Sequence, residues 1–96
     1  MAYTVNKTNG AVLTTIADGT IDTVTNLVLI GKNYSGYGEA LNENYVKLLE
    51  NFSNASAPSA PIEGQLWWDS SGDVLKVYSG SAFKIITGST SAADEP

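Results

Sequence analysis

The sequence predicts a mostly-β, α+β fold with an N-terminal β-meander, one central amphipathic helix and a C-terminal three-stranded antiparallel sheet. Three observations predict it. Thr-, Val- and Ile-rich stretches broken by Asn-Gly, Asp-Gly and Ser-Gly pairs occupy both ends of the chain. Residues 39–52 instead space their apolar side chains at helical intervals. Between helix and second β region, residues 53–61 are small and include two prolines, whose fixed φ and effect on the preceding residue stop a helix.

The elements follow in order. Tyr3-Thr4-Val5 starts a strand, and Lys7-Thr8-Asn9-Gly10 carries the Asn-Gly pair that favours hairpin turns. Residues 11–16 read as the returning strand, Asp18-Gly19 as a second turn, residues 20–25 as loosely alternating, and residues 27–30 as a continuous apolar strand buried on both faces. Together residues 1–34 make the β segment. Residues 31–38, rich in Gly and Tyr, read as a flexible linker presenting Tyr34 and Tyr37 to a neighbouring surface. A Gly-rich loop before a helix can cradle phosphate, but this one lacks the Walker and Rossmann spacings, and Glu39 opposes an anion.

In the helix, Leu41, Tyr45, Leu48, Leu49 and Phe52 fall on one face, while Asn42, Asn44, Glu50 and Asn51 lie towards the polar side. Glu39 suits the positive N-terminal end, and Glu43 and Lys47 form a favourable i, i+4 pair. So short a helix needs tertiary support. The expected support is the chain's own sheet, with a helix bundle about a symmetry axis as the alternative. Residues 62–87 then predict three strands: Leu66 to Asp69, Val74 to Tyr78 and a third over 82–86. Alternation places Leu66 and Trp68 on one face and Trp67 on the other. Residues 88–96 read as a flexible tail.

Composition narrows the function. Ninety-six residues make one small module, whose chain buries only about 60–65% of its unfolded surface. With no cysteine, neither disulfides nor thiolate metal sites supplement that core, and oligomerisation is the common remaining route to stability. Five basic residues against ten acidic ones give a net charge of −5, which argues against nucleic-acid and anionic-membrane partners. The chain has no His, Arg or Cys, the groups on which acid–base, metal and nucleophilic chemistry draw heavily. No catalytic, cofactor-binding or metal-binding residue is therefore assigned, and an enzyme is not expected. The Asp69 to Asp73 segment superficially resembles a calcium loop, but it joins two strands, where Asp, Ser and Gly are ordinary turn residues. No spacing among the carboxylates selects a hydrolytic pair.

The aromatic residues are the candidates for contact. Trp67 and Trp68 are adjacent in a strand, so they point to opposite faces, and large aromatics are enriched in interface hot spots. Each either anchors a subunit contact or is covered within the chain. With Tyr34, Tyr37 and Tyr78 they form the expected interface set; carbohydrate stacking is a further role open to them.

One run of residues resembles a known family. Glu63-Gly64-Gln65-Leu66-Trp67-Trp68-Asp69, a polar turn, Leu75-Lys76-Val77-Tyr78, Gly80 and Ala82-Phe83-Lys84 resemble a short module of tail-fibre and other virion proteins of tailed bacteriophages. Its form there is Gly-x-Leu-Trp-x-Asp, a turn, then Leu-x-Val-Tyr-x-Gly-x-Ala-Trp/Phe. The opening, residues 3–10 through 29–34, and the segments Gly36-Tyr37-Gly38-Glu39, Asn42-Glu43-Asn44 and residues 48–52 look similar to the start of such proteins, so the likeness spans nearly the whole chain. It implies a non-enzymatic virion component present in many copies, without a cofactor, whose partners are itself, a trimer included, and other virion proteins. A fibre-type or appendage module is the leading expectation, made in the bacterial host's cytoplasm and located in the virion. A head decoration protein on the capsid shell and a carbohydrate-binding module are the alternatives. Fibre proteins with this opening usually continue into shafts and tips, so the resemblance implies either a small stand-alone protein or a fibre's attachment part.

Overall fold

The Asn9–Gly10 pair turns the chain where the sequence places it. Gly10 takes φ 93°, the Asn9 side chain accepts from the Ala11 N–H, and Lys7 and Ala11 close the loop through backbone hydrogen bonding. A computed structural model describes residues 1–86; the expected tail at 88–96 lies outside the described residues. The chain forms two compact units, Met1–Leu49 and Glu50–Pro96.

In the first unit, β1 (Tyr3–Asn6) pairs antiparallel with β2 (Val12–Ile16), with a register shift between Val5 and Asn6. β3 (Ile21–Asp22) pairs antiparallel with β4 (Leu29–Ile30). The fold class is as the sequence predicts, and the four N-terminal strands pair as two separate hairpins. The third and fourth strands are only two residues long because side chains satisfy the intervening backbone. The Asp22 carboxylate accepts from the Val24 N–H, and the Thr25 hydroxyl bonds the Leu27 backbone. Residues 27–30 are half-buried rather than covered on both faces. Thr14 donates its hydroxyl to Asp22 at 2.6 Å and ties the two hairpins together.

Of residues 31–38, expected as a flexible linker, Gly31 and Lys32 are held against the preceding turn, and Tyr37 and Gly38 already belong to the helix. The Gly31 N–H donates to the Thr20 carbonyl at 2.8 Å, and the Lys32 carbonyl accepts from the Gly19 N–H at 2.6 Å. Gly31 packs so closely that a Cβ there would lie 2.4 Å from the Ala17 carbonyl oxygen. The loop is thereby clamped to the β2–β3 turn.

Helix α1 spans Tyr37–Leu49, two residues earlier at its start and three shorter at its end than the sequence predicts. Left-handed backbone at Asn51 (φ 52°) and Phe52 (φ 56°) ends it well before the prolines. Asn tolerates that region; the unbranched Phe occupies it at some conformational cost.

The second unit is built on a three-stranded antiparallel sheet, β5 (Leu66–Asp69), β6 (Val74–Tyr78) and β7 (Phe83–Ile85), in that order. Trp67 sits opposite Lys76, and Trp68 opposite Leu75. The expected linker at 53–61 is partly docked on this sheet. Trp68 donates its N–H to the Asn51 carbonyl, Asn54 donates to the Trp68 carbonyl, and Ser70 donates to the Asn54 carbonyl, making a short parallel bridge along β5. The Asn54 carbonyl also accepts the Trp67 indole N–H at 3.1 Å.

Candidate functional site

The amphipathic helix is not seated on its apolar stripe as the sequence leads one to expect, but is rotated about its axis so that the neighbouring Asn44 faces inward. The side chain it buries is Asn44, which the sequence assigns to the polar side. Its amide oxygen accepts the Val28 N–H at 2.9 Å, and its nitrogen donates to the Val28 carbonyl at 2.7 Å. One side chain thus answers both backbone groups of Val28, as a neighbouring strand would, and fixes the helix on β4. Ala40, Asn44 and Lys47 lie on the covered side, with the Lys47 ammonium reaching the Asn26 carbonyl at 3.3 Å. A polar residue on a helix carries no sequence mark for this role, because the Val28 backbone groups it answers are brought near it only by the fold.

The apolar stripe consequently faces outward. Leu41, Tyr45, Leu48 and Leu49 are all exposed, Tyr45 at 59%, Leu48 at 49% and Leu49 at 85%. Among the described residues, only Ile16 and Trp67 are apolar and buried. Adjacent exposed apolar residues on one helix face are the kind of surface that marks an interaction site.

The expected interface aromatics divide. Trp67 is 6% exposed, so it offers little surface to a partner. Its ring meets Phe83 edge-on, with centroids 5.1 Å apart, and the Lys76 ammonium stands 4.8 Å from its centroid. Tyr78 is half-buried and stacks on Phe83 at 5.0 Å in a tilted arrangement. Trp68, on the opposite sheet face, is half-buried. Tyr34 is half-buried and Tyr37 exposed, and the two come together with Tyr3 around one concavity of the first unit. The described part of the chain therefore brings Tyr34 and Tyr37 together, and Trp67 with Tyr78 around Phe83, but makes Trp67 an interior residue.

Asp69 organises the β5–β6 turn. Its carboxylate accepts the Ser71 hydroxyl at 2.5 Å, the Ser71 N–H at 3.0 Å and the Lys76 ammonium at 2.9 Å. The Ser71 hydroxyl and then Lys76 hold its pKa down from 3.8 to about 2. These contacts favour the charged form in the folded state, so their stabilisation is complete above the unfolded value of 3.8 and is lost as pH falls towards 2. Denaturation midpoints measured from about pH 6 to about pH 2 should fall in that acid window. Asp69→Asn should be less stable at neutral pH and lose this part of the slope; an unchanged slope rejects the role. Asp22 is likewise held below the ordinary carboxylate value, first by the Thr14 hydroxyl and then by the Val24 N–H.

Among the described residues, no group of three or more His, Cys, Asp or Glu is placed to hold a metal ion. Among the described residues, no helix is long and apolar enough to cross a membrane either. Comparisons with protein-family models, curated proteins and solved structures returned no match.

Proposed function

We propose that this chain is a non-catalytic structural subunit of a tailed-phage virion that assembles in several copies through the outward face of α1. The observation that carries the assembly reading is the exposed stripe of Leu41, Tyr45, Leu48 and Leu49 beside an interior with few buried apolar residues. A small domain with so little core gains stability by burying such a stripe against another chain.

A second copy of the same chain fits this face. Leu41, Tyr45 and Leu48 follow the four–three spacing of a coiled-coil seam, whose geometry suits another helix of its own kind. The helix's charged residues, Glu39, Glu43 and Lys47, lie off that seam, which is flanked by Asn42 and Leu49 on one side and by Tyr37 and the buried Asn44 on the other. In a chain of net charge −5, an uncharged lane lets two copies approach with little like-charge repulsion. The virion assignment rests on the tail-fibre-like run from Gly64 to Lys84, and the multi-copy character of such components agrees with a self-complementary face.

The test is light scattering of the purified chain after size exclusion, over a range of concentrations. The wild type should form a discrete oligomer. Leu48→Asp removes a seam residue in every copy and should weaken association at least about a hundredfold, with the circular dichroism of the monomer preserved. A wild-type chain that stays monomeric throughout, or an oligomer indifferent to Leu48→Asp, overturns this mode of assembly.

A further inference from the structure

We infer that the concavity between β1 and the start of α1 is a binding site for a neutral saccharide, a reading that goes beyond the structural role proposed above and does not depend on it. Tyr3, Tyr34 and Tyr37 line it together with Lys32, Asn33 and Ser35, in a volume of about 480 Å3. That size lies within the range of small-ligand sites, roughly 300–1,000 Å3.

The lining has the chemistry that a sugar ring needs. Tyrosine presents an apolar ring and a polar hydroxyl, so three of them offer faces for the C–H side of a pyranose and hydrogen bonds at its edge. Lys32 donates, while Asn33 and Ser35 each donate and accept. Among the described residues, these three side chains and the tyrosine hydroxyls have no hydrogen-bond partner, so their capacity is open to a ligand.

The site is also shaped in advance. The backbone of Gly31 and Lys32 is pinned to Thr20 and Gly19. Asn33 holds a left-handed φ of 63° and Gly36 one of 87°, so the loop follows a defined path from β4 into α1. A pre-formed loop loses less freedom on binding.

Among the described residues, no carboxylate lines the concavity and Lys32 is the one charged lining residue, so the charge around the site decides between neutral and anionic ligands. Glu39 in the first turn of α1 and the chain's net charge of −5 oppose a phosphorylated ligand.

The experiment is a titration of the full chain, labelled with nitrogen-15, with maltotriose, lactotriose and mannotriose, and separately with inorganic phosphate. At least one trisaccharide should shift the amide signals of residues 31–37 and of Tyr3 in a saturable manner, with a dissociation constant on the order of 1 mM. Tyr37→Ala and Tyr3→Ala change exposed rings and should each raise that constant at least about tenfold, with amide spectra elsewhere unchanged. Tyr45→Ala, on the helix stripe, should leave it unchanged, which separates this site from the assembly face. Saturable shifts with phosphate alone, no shift with any trisaccharide, or shifts indifferent to Tyr3→Ala and Tyr37→Ala each overturn the proposal.

Discussion

Trp67→Ala should destabilise the second unit by about 3–5 kcal/mol, the cost typical of truncating a buried tryptophan. Trp67 is the large apolar side chain buried in that unit's described residues. Its removal takes away the edge-on contact with Phe83, the platform under the Lys76 ammonium and the indole N–H donor. The Asn54 carbonyl keeps its bond from Ser70, so the main loss is packing and the cavity left behind rather than an orphaned acceptor. Because small domains carry only about 5–15 kcal/mol of total stability, and the smallest less, the substitution should consume most of this unit's margin. Urea denaturation followed through the amide signals of residues 66–85 measures it. Trp67→Phe keeps a ring and should recover more than half of the loss; equal midpoints for wild type and Trp67→Ala would remove Trp67 from the core.

Gly31→Ala should cost the first unit at least about 3 kcal/mol, at the upper end of overpacking effects, for the addition of one methyl group. The new Cβ would stand 2.4 Å from the Ala17 carbonyl oxygen, 2.7 Å from that of Thr20 and 2.9 Å from the Ile16 side chain. Two of these are backbone atoms, so no rotamer change relieves the contact. Relief requires the 31–32 strand of the loop to withdraw, which breaks the bonds of Gly31 to Thr20 and of Gly19 to Lys32. It also uncovers Ile16, which is 2% exposed. Gly38→Ala, with open space at its Cβ, is the matched control and should be neutral or mildly stabilising, since Ala is the better helix former. Similar denaturation midpoints for the two variants would show that the clamp yields easily.

The strands and turns were legible because their signals are local. Asn9-Gly10, Asp18-Gly19 and Ser79-Gly80 punctuate the chain, and the second sheet has the expected strands, with Trp67 and Trp68 on opposite faces. The helix was legible to within two or three residues, as its end depends on Asn51 and Phe52 adopting φ > 0, a backbone state that Phe does not advertise. The orientation of the helix was not. Apolar periodicity finds a stripe but says nothing of what covers it, and here the Val28 backbone selects Asn44 instead. Gly31 likewise looked like a source of flexibility in a Gly-Tyr loop, while its role is close approach, which only the neighbours reveal.

By itself, then, the sequence determined the α+β class, the order of strands and helix, the turn positions and the uncharged character of the helix stripe. All of these depend on backbone preferences and side-chain periods within a few residues. The tertiary structure alone decided which helix face is covered, that Trp67 is interior, that residues 51–54 dock along β5, and that Tyr3 joins Tyr34 and Tyr37 around one concavity. Each of those outcomes turns on a backbone donor or acceptor, or a packed ring, finding its partner from a distant part of its own unit, and pairings of that kind leave no periodic trace in the chain.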